Sequence, residues 1–313
     1  MDLADMCAVE TGGVGVMQAV PEALMAEVRD RYGVVAEHAE VIGGGTASKL
    51  WRLDSVPSVV VRLSRYYGLP EQQWSCRVAA EFAGKVPEVI APLVAGDGAA
   101  VFLWQGWPIT VWPFVTGAPL DRQKPVERRR AARLLARLHA SARVFPSLGE
   151  GVPPEVEDSE AERLFPDCEL DQWLRWWAGH NGDEPVGWMH RDFFPGNVLC
   201  RDGRIVGVVD WDEVEWGPLI NELAWSVWEF GKSPAGDALD LDHAQEFLTE
   251  YQQAGGPVRT STALIPLIRA RLRSGIAFWR RVHAADPAED QAMTTAFETL
   301  RHVRLDPTVV PGM

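Results

Sequence analysis

Residues 190–210 leave few choices of local structure. The segment His190-Arg191-Asp192-Phe193-Phe194-Pro195-Gly196-Asn197 is rich in turn formers. Val198-Leu199, a polar turn at Arg201-Asp202-Gly203 and the apolar run Ile205 to Val209 follow it directly. Two short apolar runs about an Asp-Gly turn predict a hairpin over Asn197 to Asp210. A hairpin sets its two ends side by side, so Asn197 and Asp210 become neighbours although thirteen residues separate them. The chain must therefore present an irregular loop, then a hairpin, from a scaffold supplied by the rest of the sequence.

That rest divides in two. Ahead of the loop, Pro21 to Tyr32 predicts a short helix that Gly33 can end. Val41-Ile42, Gly43-Gly44-Gly45, Leu50 to Leu53 and Val59 to Leu63 predict a hairpin with glycines at its bend and a third strand after it. A helix from Glu71 to Ala83 and one or two strands over Val101 to Val115 complete a β-rich part. After Gly117 the pattern turns helical. Pro125 to Ala142 is amphipathic, with Leu134, Leu135 and Leu138 on one face. Further helices are expected over Asp171 to Trp177 and from Asn221 onward. The expected class is α+β, with an N-terminal segment over 1–36, a β-rich lobe over 37–116 and a mainly helical lobe over 117–313.

Composition narrows the function classes. The 313 residues are 47% hydrophobic, enough for two cores. A net charge of −14 argues against a nucleic-acid partner. No run of about 18 apolar residues predicts a membrane span. Met1 to Glu10 carries Asp2, Asp5 and Glu10 where a secretory leader has basic residues, so no leader is expected. The four cysteines form no Cys-x-x-Cys pair and read as free thiols, which fits a cytoplasmic protein. Most of the fourteen tryptophans are expected in cores. Trp173, Trp176 and Trp177 are among them, and His139 is expected to be a packed helix residue. Oligomeric state is not legible.

The loop and hairpin carry the chemistry. His-Arg-Asp-x-x-x-x-Asn followed by a strand-end aspartate is the arrangement that phosphoryl transfer requires. Asp192 would orient an attacking hydroxyl and accept its proton, while Asn197 and Asp210 would supply oxygens for magnesium. Trp188 to Leu199, Gly207-Val208-Val209-Asp210-Trp211-Asp212, Gly217-Pro218 and Glu222-Leu223-Ala224 resemble the aminoglycoside phosphotransferase and choline kinase-like family. The resemblance spans about Val41 to Phe230. It implies a two-lobed protein-kinase-like fold, ATP and Mg2+ as cofactors, Asp192 as base, and Asn197 and Asp210 as metal ligands.

The resemblance also implies a nucleotide side. Gly44 and Gly45 stand where backbone N–H groups can meet phosphate oxygens. Arg62 stands on the third strand where protein kinases have lysine, and its helix partner is Glu71 or Glu81, with Glu71 favoured. The connector Trp112 to Gly117 fits an adenine-binding hinge, with the Pro113 carbonyl and the Val115 N–H as contacts. Asp210 lies seven residues before Gly217, too few for a long activation loop, so the acceptor is expected to be a small molecule. Asp212, Glu213 and Glu215 would bind a substrate amine, support the metals or stand as solvated charges. Glu222 would touch substrate, or cap or anchor the next helix. An aminoglycoside or other antibiotic, giving antibiotic resistance, and a metabolite such as homoserine, choline or a sugar all remain open as acceptors. A non-catalytic nucleotide-binding module of the same fold is the alternative.

Overall fold

The structure is a computed structural model that describes residues 19–43, 48–142, 145, 148, 159–259, 262–281 and 286–305. The chain forms two compact units, divided between Thr116 and Gly117.

In the first unit, Pro21 precedes helix α1 (Glu22–Tyr32), and Gly33, at φ 67°, ends it by donating to the Arg29 carbonyl. Strands β1 (Ala39–Gly43), β2 (Ser48–Leu53), β3 (Val59–Ser64), β4 (Val101–Trp104) and β5 (Trp107–Pro113) form one antiparallel sheet in the order β1-β2-β3-β5-β4. The β-branched run of β3 takes a central place, where both edges are paired. Val59, Val61 and Leu63 join Trp51, Leu53, Ile109, Val111 and the α1 residues Leu24 and Val28 in one core. By the strand period of two, Arg62 points to the opposite face from Val61 and Leu63. Helix α2 (Leu69–Ala83) starts ahead of Glu71, because Pro70 suits a first turn whose N–H groups lack partners. The glycine bend at 44–47 lies outside the described residues.

In the second unit, β6 (Ala118–Pro119), β8 (Val198–Arg201) and β9 (Arg204–Val208) form a three-stranded sheet in the order β6-β8-β9. β7 (Val186–Met189) pairs with β10 (Glu215–Pro218) in a second ladder. The sequence reading lacked this ladder, since four-residue strands such as Val-Gly-Trp-Met carry too little periodicity. Around these sheets stand α3 (Pro125–Ser141), α4 (Ser159–Leu164), α5 (Cys168–Ala178), α6 (Leu219–Gly231), α7 (Leu241–Gln253), α8 (Leu264–Arg281) and α9 (Pro287–Thr299). α3 packs on α7, α6 on α7 and α8, and α8 on α9. The arginines of α3 do more than solvate its outer face: Arg128 and Arg129 both pair with Glu246, and Arg133 with Glu250, on α7.

Tryptophans 173, 176 and 177 correct the expectation that they are core. Leu170 is the buried residue of α5. Trp173 stacks on Trp177 at 5.3 Å and 12°, while Trp176 is 51% exposed and stacks on His180. Spacing of i, i+4 gathers aromatics on one helix face, but burial depends on what packs there.

Gly117 lets the backbone lie against the hairpin. A Cβ there would stand 3.1 Å from Leu199 Cβ and 3.2 Å from the Cys200 carbonyl oxygen. Gly117→Ala should therefore destabilise the second unit by about 1–3 kcal/mol, read as a lower thermal midpoint. An unchanged midpoint would show that the hairpin yields freely.

Candidate active site

The predicted loop joins β7 to a single 3-10 turn at Pro195–Asn197, and β8 and β9 form the predicted hairpin. The hairpin closes as expected, with Val198 opposite Val208 and the Val209 N–H donating to the Asn197 carbonyl at 3.0 Å. Asn197 and Asp210 thus stand at the same end of one ladder. The segment after Gly117 holds the loop from the other side: the Leu120 N–H donates to the carbonyls of Pro195 and Val198, at 3.0 and 2.9 Å.

Inside the loop several polar groups tie its residues together. The Asn197 side-chain nitrogen donates to the Asp192 carboxylate and to the Asp192 carbonyl, both at 2.9 Å. A backbone carbonyl only accepts, so the amide nitrogen faces Asp192 and the amide oxygen turns away from it. His190 Nε2 donates to the Val209 carbonyl at 3.0 Å, which makes Nδ1 the acceptor of the Asp192 N–H at 3.3 Å. The imidazole therefore ties the loop to the strand that ends at Asp210.

Two residues flanking the chemistry take left-handed backbone, Arg191 at φ 70° and Asp210 at φ 64°. Each costs about 1 kcal/mol or more for a residue with a Cβ, so the surroundings must hold them. Glu222 holds Arg191. One carboxylate oxygen accepts the Arg191 N–H at 2.6 Å, and the other accepts from His139 Nε2 at 2.9 Å. His139 Nδ1 in turn meets the Tyr251 hydroxyl at 2.8 Å. Glu222 is 1% exposed and His139 0%. Glu222, expected to touch substrate or to cap or anchor the next helix, lies within the first turn of α6 and anchors the loop through these two contacts. Burial alone would raise its carboxyl. The hydrogen bond from His139 and the Arg191 N–H outweigh that and hold it below the usual carboxylate range.

The acids after Asp210 are not a bare cluster. Glu215 accepts from Arg191 Nε at 2.7 Å, and Glu213 from Arg271 of α8 at 2.7 Å. Glu229, one α6 turn beyond Trp225, pairs with Lys232 at 2.7 Å. Burial first, then the negative charges of Glu213 and Asp210, push the Asp192 carboxyl up to about 7, and Arg271 pulls it partly back. Sequence reasoning missed Arg271, because 58 residues separate it from Glu213 and an arginine in a basic helix signals nothing alone.

Asn197 and Asp210 lie at the same end of the β8–β9 ladder. Among the described residues no group of three or more His, Cys, Asp or Glu is arranged to hold a metal. Two protein oxygens fit a small hard cation that takes its other ligands from phosphate and water. In the first unit, Arg62 is 6% exposed on β3, opposite Leu50 and Thr110. Glu71 stands in the first turn of α2, its carboxylate oxygen against Gly68, and Glu81 is half-buried further along. Pro113 ends β5, and the Phe114 N–H donates inward to the Ser58 carbonyl. Gly44 and Gly45 lie outside the described residues. Asp212 is half-buried beside Trp211, whose indole N–H donates to the Val208 carbonyl.

A sequence model described as the phosphotransferase enzyme family matches residues 38–261. A homoserine kinase of Granulibacter bethesdensis is 29% identical over 203 residues, which cover 58% of this chain and 63% of that protein. Stress response kinase A of Shigella flexneri is 28% identical over 240 residues, 70% of this chain and 68% of that one. Among solved structures, an amicoumacin kinase in complex with AMP-PNP, Ca2+ and Ami superposes with a TM-score of 0.69 at 11% identity, over 93% of this chain and 96% of that one. At that identity the likeness shows the fold, a β-sheet unit and a helical unit of kinase type.

Two measurements check the site. Glu222→Ala leaves a buried imidazole and a strained N–H without their acceptor, and should cost about 3–5 kcal/mol in urea unfolding. The Asp192 carboxyl, raised above its unfolded value of about 3.9, stays protonated when folded while the unfolded chain ionises. Stability is thus lost as pH rises from about 4 to 7. In chelator, Asp192→Asn should raise the thermal midpoint by about 3 °C at pH 8 and by little at pH 4. An equal shift at both pH values would contradict the raised carboxyl.

Proposed function

The chain belongs to the phosphotransferase enzyme family, and from that premise we propose that it is an ATP- and Mg2+-dependent kinase that phosphorylates a hydroxyl of a small molecule. The observation that carries this reading is the Asp192 side chain held by the Asn197 amide nitrogen, in a loop whose hairpin sets Asn197 and Asp210 at the same end of one ladder. A general base and a two-oxygen cation site are the parts that phosphoryl transfer needs from this side of an enzyme.

In this reading Asp192 accepts the proton of the attacking hydroxyl. Asn197 and Asp210 hold Mg2+, which neutralises charge on the nucleotide phosphates. Gly44 and Gly45, by their backbone N–H groups, and Arg62 bind the phosphates, with Glu71 or Glu81 orienting Arg62. The Pro113 carbonyl and the Val115 N–H take the adenine edge. Phe114 between them turns its own N–H into the sheet, which supports this alternation. The run from Asp210 to β10 is short, and β10 is locked to β7. That supports a small acceptor over a protein.

The acceptor falls to one of two groups, antibiotics or metabolites such as homoserine, choline or a sugar. The pairing of Glu213 and Glu215 with arginines weakens the case for an amine-bearing acceptor. A screen of ATP consumption against aminoglycosides, macrolides, choline, sugars and homoserine tests the proposal. At least one acceptor should stimulate turnover. Asp192→Asn should then lower kcat by ~10²–10⁴-fold with ATP affinity retained. Turnover by the variant at the parent rate would refute the base assignment, and no stimulation by any acceptor would favour a non-catalytic module.

A further inference from the structure

Helix α7 buries Ala244, Phe247, Leu248 and Tyr251, the spacing of one helix face. The first three are apolar. Tyr251 is 0% exposed and carries a hydroxyl into the core, which costs stability unless that group is bonded. The chain supplies its partners. After α7, Gly255 takes φ 83° and the Gly256 N–H donates back to the Tyr251 carbonyl at 3.0 Å. A Cβ on Gly256 would overlap the Tyr251 ring, so bare backbone lies directly against it. The same return brings the Val258 N–H to the Tyr251 hydroxyl at 3.4 Å.

That N–H fixes the direction of the bonds beyond it. A backbone N–H only donates, so the Tyr251 oxygen accepts from Val258 and has its own hydrogen to give. Burial pushes the Tyr251 hydroxyl well up from its ordinary range, so the hydrogen stays on the oxygen. His139 Nδ1, at 2.8 Å, is the acceptor it meets among the described residues. Nδ1 then carries no hydrogen, and the imidazole hydrogen sits on Nε2, which donates to Glu222 at 2.9 Å. A hydrogen on Nδ1 would face the Tyr251 oxygen instead and leave the buried hydroxyl hydrogen without an acceptor. The order is therefore Val258 N–H, Tyr251 O–H, His139 Nε2–H and Glu222, whose second oxygen accepts the Arg191 N–H at 2.6 Å.

We propose that Tyr251 is a positioning residue for phosphoryl transfer: by giving its hydrogen to Nδ1 it holds His139 in the neutral Nε2–H form, and through Glu222 and the Arg191 N–H it sets the direction of Asp192. The use made of Asp192 rests on the phosphotransferase reading above. Tyr251 acts only through other residues, so its removal alters the rate of transfer and not the binding of nucleotide.

Protein labelled with nitrogen-15 gives the test by NMR, the His139 ring signals being identified by their loss in His139→Gln. The parent should show a protonated Nε2 and a bare Nδ1 at His139, and an Arg191 amide proton far downfield, as a short bond to a carboxylate gives. Tyr251→Phe removes the hydroxyl and keeps the ring. It should mix the two His139 tautomers, move the Arg191 amide proton upfield and lower kcat by ~10–100-fold, with KM for ATP unchanged. Turnover is measured with ATP, Mg2+ and whichever of L-homoserine, choline, glucose, kanamycin or erythromycin the parent phosphorylates fastest. Leu248→Ala, a packing loss on the same helix face, should lower the thermal midpoint and leave the tautomer and kcat in place. A His139 protonated on Nδ1 in the parent overturns the assignment without any variant. An unchanged tautomer or kcat in Tyr251→Phe, or an equal loss of kcat in Leu248→Ala, also overturns it, and each leaves the kinase reading standing. Absence of Asp192-dependent transfer to every acceptor refutes the kinase reading, and the role of Tyr251 with it, whatever the tautomer.

Discussion

The second unit is organised around one buried carboxylate. Glu222 has no water to solvate it, so folding is favourable only when both its oxygens are satisfied. His139 of α3 satisfies one and the Arg191 N–H satisfies the other. The same contact therefore joins α3, α6 and the loop before Asp192, and Tyr251 of α7 extends it to a fourth element. Arg191 keeps its left-handed backbone with its N–H held by Glu222. The direction of the next residue, Asp192, follows from that.

Charge is distributed around Asp192 in pairs. Glu215 faces Arg191, Glu213 faces Arg271 and Glu229 faces Lys232. Asp192 stands among these pairs, with the Asn197 side-chain nitrogen donating to it. A raised carboxyl in such a setting is suited to accept a proton near neutral pH, and a cation at Asn197 and Asp210 would adjust it further. The acidic run after Asp210 looks like an amine site in the linear sequence. In three dimensions it is largely neutralised by arginines from other segments.

How much was legible follows from range. The hairpin of residues 197–210, the β3 run and α1 with its Gly33 end are written in local patterns, and the structure has them. The β7–β10 ladder was not legible, because two four-residue strands with 25 residues between them depend on register alone. Glu222 was visible as a motif residue, but its role depends on His139, 83 residues earlier, which read as ordinary packing. The Trp173 group shows the converse: helical spacing was right, and burial was not, because spacing cannot say whether another element covers a face. Arg271 is the clearest case of a site residue without a local signal.

The central claim is that this chain moves a terminal phosphoryl group onto an acceptor oxygen. Mass spectrometry of the acceptor product formed from ATP labelled with oxygen-18 in the γ-phosphate tests it most directly. The account predicts a phosphomonoester that carries the labelled phosphoryl group, with unlabelled ADP released. A product bearing AMP, or labelled inorganic phosphate with no modified acceptor, would contradict it.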